Sequence, residues 1–164
     1  MKNIIIIFIP VVIFISCKEE EIVSKQAEDY NLNRHQILRL INDVRLEGCT
    51  CGSENMAPAE PLRWNDNLAR AALSHSKDMN ANNHFNHIGT DGTSFTDRML
   101  QQGYAFQTGG ENIAFGYGTE EEVVNGWLDS PGHCRNIMNP SYTEMGVARD
   151  GNYWTQVFGT PQPQ

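Results

Sequence analysis

The sequence predicts an α+β domain, an α-β-α sandwich in which a small, mostly antiparallel central sheet lies between helical layers. Three observations lead to this prediction. Apolar residues recur at helical spacing through the first half of the chain, a short apolar run bounded by glycines follows, and an alternating apolar pattern broken by a turn ends the chain. Helices first, one strand between helices and a terminal hairpin are typical of the α+β class.

The first two helices are predicted from apolar stripes. In the first, Ile37, Leu38, Ile41 and Val44 recur at helical spacing until Gly48 ends the helix. The second runs from Asn65 to about Asn82. Its buried stripe consists of Leu68, Ala71, Ala72, His75 and Met79. A histidine on such a stripe is more often a hydrogen-bonded core residue than a ligand, and this structural role is expected for His75.

Capping signals place two further helices. Ser94 with Asp97 predicts a short helix that ends at Gly103, and Thr119 with Glu122 predicts another helix. Pro131-Gly132 is expected to end this last helix.

The strands are predicted from glycines and from alternation. Residues Glu111 to Phe115, between Gly109-Gly110 and Gly116, form a short strand. Met145 and Val147 alternate up to the turn Asp150-Gly151, and the alternation resumes over residues 153–158, which predicts a hairpin.

The first residues predict export. A basic start at Lys2, an uncharged run from Ile4 to Ile15 and Ser16 are typical of a signal peptide over residues 1–16. The sequence Phe14-Ile15-Ser16-Cys17 resembles the lipobox of bacterial lipoproteins, so we expect Cys17 to carry the lipid that attaches the protein to a membrane. The alternative is an ordinary signal peptide that leaves Cys17 as a free thiol.

The predicted organisation after the signal peptide is a lipidated Cys17 with an acidic tether over residues 17–29, followed by one domain over residues 30–164. The acidic stretch after Cys17 also resembles the signal that sends some lipoproteins to the outer surface of the outer membrane. We therefore expect an exported, membrane-anchored lipoprotein of a bacterial envelope.

The charge of the chain argues against one class of partner. It has 20 acidic and 12 basic residues, a net charge of −8, and no basic patch interleaved with aromatic residues. Nucleic acid is therefore not an expected partner.

Three cysteines remain if Cys17 is acylated. Oxidation is expected in an exported chain, and Cys49 and Cys51 are too close in sequence to pair readily with each other. The expected bridge joins one of them to Cys134. The rival is a zinc site that uses the three cysteines with His133, although Cys-x-Cys is shorter than the usual structural zinc spacing.

Two imidazoles and one carboxylate are the candidate chemical groups. His87, Glu111 and His133 could hold zinc with an open fourth position, and they are the candidate catalytic residues if the protein is an enzyme. A hydrogen-bonded polar cluster with no metal is an equal alternative.

The order of the motifs resembles the CAP superfamily, which includes cysteine-rich secretory proteins, antigen-five allergens and pathogenesis-related proteins. The motifs are Ala72-x-x-His75-Ser76-x-x-Met79, Phe85-x-His87, Gly110-Glu111-Asn112-Ile113-Ala114, Trp127-x-x-Ser130-Pro131-Gly132-His133-x-x-Asn136-Ile137-Met138 and Gly146-Val147, with Gly92, Arg98 and Gly103 between the second and the third. The match covers about residues 33–159 and is closest to the bacterial branch.

The resemblance implies an α-β-α sandwich with a central cleft. It places the first histidine of the family's cleft on His87 and the first glutamate on Glu111. The second glutamate position holds Ser130 here, and the second histidine position, before Trp154-Thr155-Gln156, holds Tyr153. The Ser-Pro-Gly-His turn of bacterial members suggests that His133 supplies the second imidazole instead.

The same bacterial branch also implies which cysteines pair. The bridge Cys51 to Cys134 is favoured over Cys49 to Cys134, and it would attach the His133 turn to the loop after the first helix. Asp129, Ser130 and Tyr153 are expected at the rim of the cleft.

Members of the family are known mainly for binding. The resemblance therefore implies an extracellular binding module whose ligand is a lipid, a glycan or a protein. The alternative is a metal-dependent hydrolase or peptidase that uses His87, Glu111 and His133 with zinc. This alternative is less favoured because the chain lacks His-Glu-x-x-His and has no Gly-x-Ser-x-Gly around Ser130.

Overall fold

A computed structural model describes residues 30–163 of the protein. The predicted signal peptide over residues 1–16 and the predicted lipidation site and tether over residues 17–29 lie outside the described residues. Within residues 30–163, no helix combines the length and the apolar character that crossing a bilayer requires.

Eleven elements follow one another in the described part of the chain. They are α1 (Arg34–Glu47), β1 (Cys49–Cys51), β2 (Glu54–Met56), β3 (Arg63–Trp64), α2 (Asp66–Asn82), α3 (Phe95–Gln101), β4 (Phe106–Phe115), α4 (Glu120–Asp129), α5 (Pro131–Met138), β5 (Glu144–Asp150) and β6 (Tyr153–Pro161).

The central sheet has four strands in the order β3-β5-β6-β4. The pairs β5–β6 and β4–β6 are antiparallel, and only the short β3 runs parallel to its neighbour β5. A separate two-stranded sheet joins β1 to β2. The prediction of a small, mostly antiparallel sheet is confirmed, and β4 is an outer strand of it.

One face of the sheet packs on α2. A Cβ added at Gly146 in β5 would lie 2.0 Å from the main-chain nitrogen of Ala69, so only glycine permits this close approach. The Ser76 hydroxyl of α2 donates to Ala148 O at 3.2 Å and to the Thr155 hydroxyl at 2.9 Å. These contacts hold α2 directly against β5 and β6.

The other face of the sheet carries the second helical layer, α1, α4 and α5. Side chains alternate along a strand, so Asn112 points to the face opposite Glu111. There its amide donates to the His133 carbonyl of α5 at 3.2 Å. The predicted sandwich is therefore confirmed.

Local signals fix the helix ends as predicted. Gly48 caps α1 with a φ of 75°, a conformation that glycine adopts without strain. Both capping boxes are formed, at Ser94 with Asp97 before α3 and at Thr119 with Glu122 before α4. The predicted β5–β6 hairpin is present, and its pairing closes at Asp150 with Tyr153.

The expected end of α4 at Pro131-Gly132 is only half right. α4 stops at Asp129, but Pro131 then begins a new helix, α5. Proline is favoured in the first turn of a helix because it has no N–H that would need a partner there, and its φ already suits a helix. The residues that were interpreted as a turn around His133 are therefore helical.

Strand β4 is twice as long as predicted, with ten residues, because the two glycines predicted to bound it lie inside it. A Cβ at Gly110 would lie 2.5 Å from the Tyr142 hydroxyl, and one at Gly109 would lie 3.0 Å from the methyl carbon of Met99. These glycines allow neighbouring side chains to approach the strand.

A buried arginine joins α1 to the end of α5. The Arg45 side chain donates from Nε to Glu60 O at 2.8 Å, from Nη1 to Ile137 O at 2.6 Å and to Asn139 O at 3.0 Å, and from Nη2 to Tyr142 O at 3.3 Å. Burial lowers the pKa of this guanidinium below its usual value.

Candidate functional site

Glu111 lies near the centre of β4, opposite Val157 of β6, and its carboxylate is almost wholly buried. Oε2 accepts a hydrogen bond from Arg98 Nη2 at 2.8 Å. Oε1 accepts one from His87 Nδ1, also at 2.8 Å. Because a carboxylate only accepts, Nδ1 of His87 carries the proton, and Nε2 is the nitrogen left for another partner.

Arg98, from α3, also fixes the loop that carries His87. Its Nη1 donates to Thr93 O at 2.8 Å, and its Nη2 donates to His87 O at 3.0 Å. One guanidinium therefore positions both the Glu111 carboxylate and the His87 backbone. The Arg98 Nε atom is buried and has no hydrogen-bond partner within residues 30–163.

His75 lies beneath this pair, fully buried on the predicted stripe of α2. Its Nε2 is 2.8 Å from Asn86 O and 4.0 Å from the nearer oxygen of Glu111. The carbonyl can only accept, so Nε2 carries the proton, and Nδ1 has no partner in the described structure. Burial lowers the pKa of His75, and the neutral ring acts as a core hydrogen-bond donor, as predicted.

His133 lies in the first turn of α5, across a cavity from His87. The two histidines line the same cavity, of about 320 Å³, together with Phe85, Asn86 and Ile113. Burial lowers the pKa of His133, and the neighbouring His87 lowers it further.

Two more cavities adjoin the first one. One, of about 310 Å³, shares Phe85, Ile113 and His133 with it and extends to Trp127 of α4 and to Ser130, between α4 and α5. The other, of about 470 Å³, shares His87 and extends to Tyr142 and Phe95. We call these three adjoining cavities the cleft.

The rim of the cleft carries exposed aromatic rings. Phe85 and Phe115 are each 53% exposed, which is unusual for phenylalanine, and their ring centroids lie 6.3 Å apart. Tyr153 is buried below them, 4.7 Å from the Phe115 ring and 6.4 Å from the Phe85 ring. An apolar surface thus lies beside the polar floor formed by Glu111 and His87.

The residues predicted for the rim lie in different places. Ser130 lines the cavity next to His133. Asp129 is exposed at the last position of α4. Tyr153 is only 7% exposed and supports the aromatic rim from below.

The structure brings some of the predicted zinc ligands together. His87 and Glu111 are in contact, and His133 lies across the cavity from His87. Within residues 30–163, the only three or more potential ligand atoms within 4.8 Å of one another are the sulfur atoms of Cys49, Cys51 and Cys134. Two of these sulfurs are joined in a disulfide, Cys51–Cys134, which is the pairing that the resemblance favoured.

Cys49 keeps a free thiol next to this bridge. Its sulfur lies 3.6 Å from that of Cys134 and 3.9 Å from that of Cys51. Burial raises the pKa of the thiol.

Sequence reasoning did not assign a role to Arg98, Asn136 or Phe115. Arg98 was visible only as one position of a motif, since nothing local ties it to Glu111. The Asn136 side chain donates to Glu111 O and to the Asn112 amide oxygen, contacts that depend on how α5 lies against β4. Phe115 was interpreted as the last residue of a strand, and its exposure carries no signal in sequence.

A family model described as "CAP: Cysteine-rich secretory protein family" matches residues 38–158. The curated proteins that match include the uncharacterized membrane protein YlbC of Bacillus subtilis, 38% identical over 123 residues, and the uncharacterized protein YkwD of the same organism, 42% identical over 101 residues. The first alignment covers 75% of this chain and 33% of YlbC, and the second covers 60% of this chain and 39% of YkwD. The chain thus spans little more than a third of the length of these relatives.

Solved structures show the same fold. An extracellular protein containing a SCP domain from Bacillus anthracis is 32% identical with a TM-score of 0.72, over 83% of this chain and 43% of that one. An outer surface protein from Borrelia burgdorferi is 21% identical with a TM-score of 0.61, over 90% of this chain and 97% of that one.

Proposed function

This chain belongs to the cysteine-rich secretory protein family, CAP, and on that basis we propose that it is a binding module of the bacterial cell envelope whose ligand occupies the cleft. The ligand is a lipid, a glycan or a protein. We also propose that the module is exported and anchored through a lipid on Cys17. The predicted signal peptide supports export, as does the description of the Bacillus anthracis relative as extracellular.

One observation favours binding over catalysis. Both oxygens of Glu111 are occupied by protein donors, Arg98 and His87, at 2.8 Å each. Each oxygen keeps a second lone pair, but the carboxylate is only 1% exposed, whereas a general base or a metal ligand needs a lone pair directed at a group in the cleft. The carboxylate is better suited to hold His87 in place, and His87 then presents Nε2 to a ligand.

A zinc site made of three protein ligands fits poorly, since the Glu111 carboxylate is buried behind His87 and Arg98. A zinc ion in the cleft would be held by the imidazoles of His87 and His133, and Glu111 would orient His87 from behind. Such an ion would polarise a bound carbonyl, which keeps metal-assisted hydrolysis as the second candidate function. Two imidazoles alone predict weak metal binding.

The binding function is tested by capture of envelope lipids, glycans and proteins on the purified full-length protein. The double variant His87→Ala, His133→Ala and the single variant Phe85→Ala should each lose the captured ligand. Leu46→Ala is the matched control, because Leu46 is 56% exposed on α1 and lines none of the three cavities. Equal capture by all four proteins would contradict a role for the cleft.

The hydrolase candidate is tested on the wild type and on two single variants. Zinc content and hydrolysis of peptide and ester substrates are measured for the wild type, His87→Ala and Glu111→Ala. A rate above background that both substitutions remove would favour the enzyme, whereas background values in all three would leave only the binding function.

A further inference from the structure

We infer that the ligand of the cleft is an extended peptide segment, which adds to the free edge of β4 through main-chain hydrogen bonds at Ile113 and Phe115. This inference rests on the proposed binding function and names the class of ligand.

Three hydrogen bonds show toward which side of β4 its main-chain N–H and C=O groups point. Gly159 in β6 lies opposite Gly109, and its carbonyl accepts from Thr143 N, on the side away from β4. Gly109 O accepts from the Tyr142 hydroxyl, and Glu111 O accepts from the Asn136 side chain. Main-chain groups alternate between the two sides of a strand in an antiparallel pair. Those of residues 109, 111, 113 and 115 therefore point away from β6, toward the free edge.

The free edge of β4 has a covered half, at Gly109 and Glu111, and an open half, at Ile113 and Phe115. In the covered half, Tyr142 and Asn136 occupy the carbonyls of Gly109 and Glu111, at 3.1 and 3.2 Å. In the open half, none of the described residues forms a hydrogen bond to the outward N–H and C=O of Ile113 or Phe115. Ile113 is only 5% exposed, and polar main-chain groups in such surroundings nearly always have a partner.

The open half borders a cavity of suitable form. Ile113, Ala114 and Phe115 line the cavity of about 310 Å³, with Phe85 on one side and Ser130 and His133 on the other. A strand added to a sheet lies about 4.8 Å from its neighbour and points successive side chains to opposite faces. One set of peptide side chains would contact Phe85 and Phe115, and the other set would face α4.

Hydrogen-bonding chemistry selects the peptide among the candidate ligands. The N–H and C=O of Ile113 are matched by the C=O and N–H of a peptide backbone, and the same pair recurs at Phe115, about 6.8 Å along the strand. The hydrocarbon tail of a lipid offers neither donor nor acceptor, and its ester or carboxylate group only accepts. A glycan offers both, but without the two-residue repeat of a strand.

The test uses the full-length protein and a displayed library of random linear decapeptides, with a glycan array and vesicles of phosphatidylethanolamine and phosphatidylglycerol as the other probes. A selected peptide should slow amide hydrogen exchange at Ile113 and Phe115 by about tenfold or more, because each amide gains a hydrogen bond. The amides of Asn112 and Ala114, which face β6, should change little.

Two substitutions of Phe115 isolate the contribution of its main-chain N–H to peptide binding. Phe115→Ala removes the ring but keeps the outward N–H. Phe115→Pro removes the ring and that N–H, and proline is tolerated at a sheet edge where the N–H faces outward. The peptide should bind about tenfold more weakly to Phe115→Pro than to Phe115→Ala. Unchanged exchange at Ala114 verifies that both variants keep the β4–β6 pairing.

The outcomes separate this inference from the proposed function. A selected peptide that leaves exchange at Ile113 and Phe115 unchanged, or that binds the two variants equally, overturns strand addition. Binding of vesicles or glycans in the cleft without any selected peptide overturns the peptide as ligand and leaves the binding function in place. No binding of any probe overturns the peptide as ligand, and the capture of envelope components described above then decides the proposed function.

Discussion

Arg45 and Arg98 are both buried arginines on helices, and they have different kinds of hydrogen-bond partner. Arg45 is fully buried, and its three nitrogens donate to four neutral carbonyls from the segments around residues 60 and 137–142. Arg98 is 3% exposed and pairs with the carboxylate of Glu111. The first arginine joins segments of backbone, and the second holds a charged group at the floor of the cleft.

The surroundings of Arg45 and those of Arg98 also differ in whether buried polar atoms lack a hydrogen-bond partner. Three buried side-chain nitrogens within residues 30–163 have no hydrogen-bond partner, namely His75 Nδ1, Arg98 Nε and Trp127 Nε1. The first two belong to residues around Glu111, and Trp127 lines the cleft. None belongs to Arg45.

Unsatisfied buried polar groups reduce stability and therefore need an explanation. A region selected only for stability is expected to complete its hydrogen bonds, as the surroundings of Arg45 do. The cleft and the residues around Glu111 beneath it combine unpaired nitrogens, exposed phenylalanine rings and a free strand edge. This concentration supports a site shaped for a ligand, and the two arginines can be tested against each other.

The largest effect is expected at Arg45. Arg45→Met should lower the free energy of unfolding by about 3–5 kcal/mol, because it leaves four carbonyls without their donor, two of them in fully buried hydrogen bonds. Urea unfolding followed by tryptophan fluorescence measures it. Arg39→Met is the matched control on the same helix, since Arg39 is 60% exposed and paired only with Asp43, and it should cost less than about 0.5 kcal/mol. Similar losses for both would contradict the role of Arg45.

Glu111→Gln should cost less, about 2–3 kcal/mol, although it leaves the Arg98 charge buried without its partner. The loss is smaller because Arg98 keeps the carbonyls of Thr93 and His87. Ligand capture should fall as well, since Gln has one acceptor oxygen for two donors: when the charged Arg98 takes it, the NH2 group faces Nδ1 of His87, which then loses the acceptor that orients it.

Double-mutant cycles test whether Glu111 is coupled energetically to Arg98 but not to Arg45. Glu111→Gln combined with Arg98→Met should be more stable than the sum of the single losses by at least about 1 kcal/mol. Glu111→Gln combined with Arg45→Met should be additive. Coupling to Arg45 would show that the two regions are not independent.

Acid should weaken the cleft region through His75. Its pKa in the folded protein is lowered from the ordinary value of 6.5, chiefly by burial, so below that pH the unfolded chain binds the proton more readily than the folded one. Stability is therefore full above about pH 6.5 and falls as the pH drops, by at most about 1.4 kcal/mol per pH unit for one proton.

His75→Gln should reduce this dependence, which is measured by urea unfolding between pH 7.5 and 5. His133→Gln should act in the same direction, because burial also lowers the pKa of His133. His35→Gln, on the exposed side of α1, is the control. An unchanged slope in His75→Gln would mean that His75 is not the group that senses acid.

The parts of the fold that were predicted from sequence are those that depend on local hydrogen bonds. Both capping boxes involve residues three apart, and the hairpin turn at Asp150-Gly151 is fixed by its own backbone. His87 and Glu111 were found as motif positions, but their contact joins a loop to a strand across 24 positions of sequence.

The missed features depend on contacts between distant segments. Gly109 and Gly110 look like a strand boundary until Met99 and Tyr142 are seen to pack against them. Pro131 can end one helix or begin another, and here Ser130 ends α4 and precedes α5. The partners of Arg45 and Arg98 follow only from the packed structure, because no local pattern distinguishes the two residues.

The smallest effect is expected at Cys49. Helix α5 is attached to the rest of the domain in two ways, by Arg45 and by a disulfide, and Cys49 tests which cysteines form the disulfide. Arg45 holds the carboxyl end of this helix through Ile137 and Asn139, and the bridge from Cys51 to Cys134 holds its first half. The Cys49 sulfur lies beside the bridge without belonging to it, so Cys49→Ser should change the free energy of unfolding by less than about 0.5 kcal/mol. Cys134→Ser, which removes the bridge, should cost about 2–4 kcal/mol. Peptide mapping should recover the Cys51–Cys134 link in Cys49→Ser. If instead the link is lost in that variant, Cys49 belongs to the bridge, and α5 is attached differently from the way described above.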